Sequence, residues 1–254
     1  MSGARLARLG AALLGFAALI AVWQELSASG RFTVLLLPPP GDVLTTAVDL
    51  ARRGQLLDDA LASLQRVTVG FLLGAAVGVT LGVALGAFRP LSLVVRPVLE
   101  ALRPIPGIAW IPLAILWFGI GDASSYFLVA LTSFFPVFVS GHAAVTSIER
   151  RYVDLARCLG TPRRMVVLEV LFPAALPRIL TGIRVGLGVA WMTVVAAELV
   201  AARSGLGYMI ELNRTLLQTS AVLVGMALIG LIGFGMTLLL ERIERGLTPW
   251  VERR

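Results

Sequence analysis

Charged and nucleophilic side chains are scarce in the apolar parts of this sequence, so each can be weighed on its own. Arg184 and Glu198 bracket the uncharged run Val185 to Ala197, which is too short to cross about 30 Å of hydrocarbon. Both charges therefore fall within or at the edges of a membrane helix. They stand fourteen residues apart, roughly 21 Å along the axis, and do not reach each other. Each needs a partner elsewhere, or water, because an isolated charge in hydrocarbon is costly. Two readings of Glu198 stay open: with Trp191 and Thr193 it faces a central water-filled path, or it sits at the interface and pairs with Arg203. His142, the single histidine, lies near the inner end of another apolar run, Tyr126 to Ile148, where a hydrogen bond to a neighbouring helix suits it better than a ligand. Ser124, Ser125 and Ser133 lack a histidine base beyond lone His142 on another turn. There is no Gly-Lys-Ser phosphate loop and no Cys/His cluster for a metal, and the lone Cys158 excludes an internal disulfide. The chain reads as neither an enzyme nor a binder of its own cofactor or metal.

The elements that must hold these groups are membrane helices. The 254 residues are 57% hydrophobic with a mean hydropathy of +0.88, which places the chain among polytopic all-α membrane proteins. Its net charge of +7 comes with 22 basic residues, all of them Arg. These lie between apolar runs, so they read as topology determinants and lipid contacts rather than a nucleic-acid surface.

Six spans are expected. Leu9 to Trp23 is the first, followed by an outer amphipathic helix after Pro38-Pro39-Pro40, running from Asp42 to Ala51. Val67 to Phe88, Ile108 to Ile120 with Pro112 interrupting it, Tyr126 to Ile148, Ile179 to Ala202 and Leu216 to Leu240 follow. Fifteen arginines then fall on one side of the membrane and five on the other, which puts both termini in the cytoplasm. A first unit, residues 1–65, precedes a core at 66–254. In the second span Gly70, Gly74, Gly78, Gly82 and Gly86 form a row that admits close helix approach. Four residues turn a helix by roughly 400°, so the row drifts and its partner must cross at an angle, or two partners must share it. The break Arg103-Pro104-Ile105-Pro106-Gly107 makes the third span a candidate wall of a pathway.

Between the fourth and fifth spans lies a basic loop, residues 149–178, with Arg150, Arg151, Arg157, Arg163, Arg164 and Arg178. Gly160 followed by Pro162 stops one helix and starts another. The expectation is two short helices at an angle, a rigid cytoplasmic knob able to dock in a cleft of another protein.

Within that loop Asp154-Leu155-Ala156, Gly160 and Val170-Leu171-Phe172-Pro173 resemble the motif shared by the membrane subunits of bacterial ATP-binding-cassette importers. The family pattern is Glu-Ala-Ala, Gly four residues on, then Ile-x-Leu-Pro. This chain keeps Ala156, Gly160 and Pro173 and has Asp154 for Glu, Leu155 for Ala and Val170-Leu171-Phe172 for the Ile-x-Leu part. Ser63-Leu64-Gln65-Arg66-Val67, Leu102-Arg103-Pro104-Ile105-Pro106, Ile115-Leu116-Trp117-Phe118-Gly119-Ile120-Gly121, Ala190-Trp191 and Ala197-Glu198 extend the likeness to the nitrate, sulfonate, taurine and bicarbonate branch. The resemblance implies the type I importer transmembrane fold and a permease subunit for a small anion. It implies an inner-membrane setting and ATPase coupling through Asp154, Ala156, Gly160 and Pro173. The partners it implies are a second permease copy, two ATPase subunits that bind ATP and Mg, and an extracytoplasmic substrate-binding protein. The competing class is an ion-gradient-driven transporter or channel using Arg184, Glu198 and His142 without an ATPase.

Overall fold

The apolar runs form helices throughout the computed structural model, which describes residues 2–250. The side chains of Arg5, Arg8, Arg150, Arg157 and Arg163, and all of Arg253 and Arg254, lie outside the described residues. In chain order the helices are α1 Ser2–Ala28, α2 Pro40–Arg52, α3 Gln55–Ala87, α4 Arg89–Leu102, α5 Ile111–Phe118, α6 Asp122–Thr146, α7 Arg150–Cys158, α8 Arg163–Met165, α9 Phe172–Ala201, α10 Leu206–Thr215 and α11 Thr219–Leu247. A 3₁₀ turn, Gly107–Trp110, precedes α5, and a π-helical stretch, Val166–Leu171, joins α8 to α9.

Among the described residues four helices are long and apolar enough to cross a membrane: α3, α6, the continuous run Val166–Ala201, and α11. The expected third span is different. In that region α4 and the segment Gly107–Phe118 meet at 91° across the break Arg103 to Pro106, and they are long and apolar enough for a crossing only when taken together. Pro112 starts α5 rather than interrupting it, since a missing amide costs nothing in the first turn. The expected first span is helical, although its described apolar part, Leu14–Ala28, is shorter than a full crossing. Trp23 Nε1 donates to Pro38 O at 3.0 Å and Ser27 Oγ to Leu37 O at 3.2 Å, which fasten its end to the chain before α2.

The core is a three-helix arrangement of α3, α6 and α9, in which Val67, Phe71 and Ala75 meet Val129, Val137, Leu187, Ala190 and Val194. The glycine row accounts for its tightness. A β-carbon on Gly70 would lie 2.6 Å from Val129 Cβ, on Gly74 2.3 Å from Ala130 O, on Gly78 2.9 Å from Phe134 O, on Gly82 2.6 Å from Phe138 O, and on Gly86 2.8 Å from Val145 Cβ. One helix, α6, therefore covers all five glycines. Its contacts advance along the chain in the same direction as the glycines do, so the two helices run parallel and their rows drift together. The other option, a row shared by two partners, is not taken.

Helix α3 begins twelve residues before the span read from sequence, and the boundary at 65/66 falls inside it. Arg66 does not end the helix, because it is buried among acceptors described below. The last span also runs further than expected, to Leu247, and carries Glu241 and Glu244 back towards α9.

Candidate functional site

The basic loop folds as a helix with a fixed stop. Helix α7 ends where Gly160 adopts φ +76°, a conformation that a residue with a β-carbon enters only at a cost. The amide of Thr161 then turns back to Ala156 O at 3.0 Å, the bond that closes a Schellman cap. Ala156 itself is buried, whereas Tyr152, Asp154, Leu155 and Leu159 are exposed. Tyr152, Leu155 and Leu159 follow an i, i+3, i+7 pattern and share one side of α7. After Pro162 the chain does not form a second short helix, as the sequence suggested. It runs through α8 and the π-helical stretch straight into α9.

Pro173 explains that stretch. Its ring nitrogen cannot donate to the carbonyl four residues back, and the amide of Phe172 reaches Val167 O, five residues back. A π turn absorbs the missing bond without ending the helix. Of the four residues read as coupling groups, Asp154 is therefore on the exposed face of α7. Ala156 anchors its cap, Gly160 makes the turn, and Pro173 sets the entry to the long helix.

At the far end of α9 a buried polar cluster ties four helices together. Glu198 is 1% exposed and Arg66 4%, with Arg66 Nη1 2.8 Å from Glu198 Oε1. Arg66 Nε also donates to Asp122 Oδ1 at 2.7 Å, Nη1 to Ser204 O at 2.6 Å and Nη2 to Ser204 Oγ at 2.7 Å. Ser63 Oγ lies 2.8 Å from both oxygens of Glu198 and accepts the Leu206 amide at 2.8 Å. The amide of Gly207 donates to Glu198 Oε2 at 2.9 Å and that of Gly205 to Asp59 Oδ1 at 2.8 Å. Glu198 and Asp59 thus occupy the N-terminus of α10, where unpaired amides favour negative charge.

Both sequence readings of Glu198 give way to this arrangement. The carboxylate pairs with Arg66, not Arg203, and it is enclosed rather than facing an open path within this chain. The sequence held a signal for the partner set, since Asp59, Ser63 and Arg66 recur at i, i+4 and i+7 on one helix face.

The remaining candidates separate. Trp191 does not join Glu198 and Thr193 on one wall. Its Nε1 donates to Ile229 O at 3.0 Å, and a β-carbon on Gly233 would lie 2.8 Å from that nitrogen, so the indole packs α11 onto α9. Thr193 faces the break in the third span, with its Oγ1 3.7 Å from a β-carbon built on Gly107, and it donates to Val189 O at 2.9 Å. Arg184 donates through Nη2 to Glu244 and lies 3.7 Å from Glu241. Of the charges on α9, Arg184 is thus matched by α11 and Glu198 by α3. Among the described residues no group of three or more potential metal ligands exists.

Residues 74–253 match the family described as the binding-protein-dependent transport system inner membrane component. The chain belongs to this family. Such permeases are transport subunits of importers, and their ATP is hydrolysed by separate chains. This permease is 42% identical over 250 residues to a probable ABC transporter permease protein of Brucella abortus, covering 98% of this chain and 99% of the relative. It is 39% identical over 239 residues to the taurine transport system permease protein TauC of Escherichia coli, covering 92% and 87% of the two chains. Its fold matches a chain of the inward-facing MetNI methionine ABC transporter with a TM-score of 0.66 at 20% identity, over 78% of this permease and 98% of that chain. The type I importer fold expected from the motifs is therefore the fold found.

Proposed function

We propose that this permease forms the translocation pathway for a small anion, a sulfonate such as taurine or an inorganic anion such as nitrate or bicarbonate. It would act as a pair of copies with two ATPase subunits and an extracytoplasmic binding protein. The setting is the bacterial cytoplasmic membrane, with both termini and α7 in the cytoplasm. The anion class rests on the branch motifs and on the likeness to the taurine permease. The orientation rests on the arginine asymmetry.

The observation that carries the mechanism is mechanical continuity. Helix α7 is capped at Gly160 and joined through an unbroken helical run, Arg163 to Ala201, to the helix whose far end is held by the Arg66 cluster. ATP-driven closure of the ATPases would pull on the exposed Tyr152, Leu155 and Leu159 side, and the run would pass that displacement across the bundle. A ligand shifts a two-state equilibrium only through contacts that differ between the states, and a docked, stiff α7 supplies such contacts. Of the three groups an ion-gradient mechanism would use, Arg184 and Glu198 are each held by a structural partner, which leaves it His142.

Replacing Gly160 with Val forces a β-branched residue towards φ +76° and should loosen the cap. Solute uptake and solute-stimulated ATP hydrolysis by the reconstituted importer should both disappear, while membrane insertion stays normal. Wild-type uptake by that variant would defeat the coupling role, and uptake by this chain alone in liposomes would defeat the requirement for an ATPase.

A further inference from the structure

Helix α4 carries Arg89, Arg96 and the capping residue Arg103 at seven-residue spacing, with Ser92 between the first two. Seven residues turn a helix by roughly 700°, within about 20° of two full turns, so the three guanidinium groups share a stripe. Beside it Leu91, Leu93, Val94 and Val98 are exposed. Val95 and Leu99 pack against the cluster of Leu85, Phe134 and Phe138. The helix lies at 91° to the segment that follows it. A helix turned sharply from the segment that follows it, apolar on one side and arginine-bearing on the next, has the composition of one seated in a membrane interface.

Under this stripe is a cavity of about 870 Å³ between α4, the end of α3, α6 and the start of α7. Its polar lining includes Arg89, Ser92, Arg96 and His142, and its apolar walls include Leu85 and Val145. A second cavity of about 310 Å³ shares Arg96 and His142 and adds Glu100 and Arg103. Glu100 accepts from Arg96 Nε at 2.7 Å and offsets one positive charge. Among the described residues Arg89 and Arg103 make no ion pair. Neither the coupling helix nor the Arg66 cluster uses any of these groups.

We propose that this cavity binds the phosphate headgroup of an anionic phospholipid, with its acyl chains lying along the exposed apolar side of α4. The phosphodiester's two free oxygens would accept from the Arg89 and Arg96 guanidinium groups, with Ser92 and His142 as further donors. A site of this volume, half apolar and opening beside the exposed apolar side of α4, fits an amphiphile better than a free ion. The same cavity is walled by Val153 of α7 and by Leu171, so a bound lipid would touch the coupling helix and link its position to membrane composition.

The test is native mass spectrometry of the intact importer complex, purified in detergent and offered phosphatidylglycerol or phosphatidylcholine at equal concentration. Phosphatidylglycerol should be retained about tenfold more strongly, the effect of roughly one additional charged contact. The double variant Arg89→Gln/Arg96→Gln should lower that retention about thirtyfold, while Arg52→Gln/Arg53→Gln at the C-terminal end of α2 leaves it unchanged. Equal retention of the two lipids by the wild type would overturn the proposal even if the double variant does not assemble. So would unchanged phosphatidylglycerol retention in the double variant. Displacement of the lipid by inorganic phosphate at matching concentration would replace the lipid site with a free-phosphate site.

Discussion

Arg66 and Glu198 meet at 2.8 Å across 132 residues of sequence, both almost wholly buried. The pair joins the first half of α3 to the end of α9, and Asp122 and Ser204 complete the guanidinium's partners. Breaking a buried pair from one side leaves an uncompensated charge, typically a loss of about 3–5 kcal/mol. Arg66→Met and Glu198→Met should each lower the thermal stability of the purified permease sharply. The double variant should be more stable than either single one, because no lone charge remains buried, the Asp122 side chain being more than half exposed. Equal and additive losses in a double-mutant cycle would mean that the two groups are not coupled.

The glycines of this chain predict opposite effects for the same substitution. Gly74→Ala places a β-carbon 2.3 Å from the Ala130 carbonyl, a backbone atom that cannot step aside, so α3 and α6 must separate. Gly235 sits in α11 with open space on its side-chain side, nothing lying within 4 Å of where a β-carbon would stand, and alanine there gains about 1 kcal/mol of helix propensity. Thermal unfolding in detergent should fall for the first variant and hold or rise for the second.

Trp191 offers a test of packing against pathway. Trp191→Phe removes the donor to Ile229 O, a loss of about 1 kcal/mol. Trp191→Ala leaves space against Gly233 and should loosen α11 further. In both variants the apparent affinity for solute in uptake assays should stay at the wild-type value, since the indole faces α11. A shift in solute affinity without a change in stability would return Trp191 to the pathway.

What can be read from the chain follows the range of the interactions concerned. The four longest apolar runs, the glycine row and the stop at Gly160 are local patterns with counterparts in the fold, whereas the expected first span is too short in its described apolar part and the third is a bent pair. The spacing of Asp59, Ser63 and Arg66 marks a polar helix face, but that Glu198 meets it depends on a contact between distant segments. Helix α4 is hidden in the sequence because Pro90 and Pro97 with three arginines read as a connection, although Pro90 occupies a first-turn position that tolerates it. Helix α10 is short and opens on Gly205-Leu206-Gly207, residues that locally favour a turn. Its glycines matter through the carboxylate they surround, since a β-carbon on Gly205 would lie 2.3 Å from Glu198 Oε1.

Pro173 gives the most direct access to the coupling geometry. Because it cannot donate, the Glu169 carbonyl loses its α-helical partner, and the preceding stretch Val166–Leu171 is wound as a π-helix. Pro173→Ala restores that donor, so the extra residue can be shed and the stretch rewound as α-helix. Shifting the helix by one residue turns everything before it by about 100° and moves it by about 1.5 Å, which would point Tyr152, Leu155 and Leu159 in a new direction. The expected result is a permease of normal stability that still inserts but supports little uptake and no solute-stimulated ATP hydrolysis. Spin labels on Leu159 and Arg178 should report the changed distance directly. An unchanged distance together with lost uptake would place the role of Pro173 elsewhere than in aiming α7.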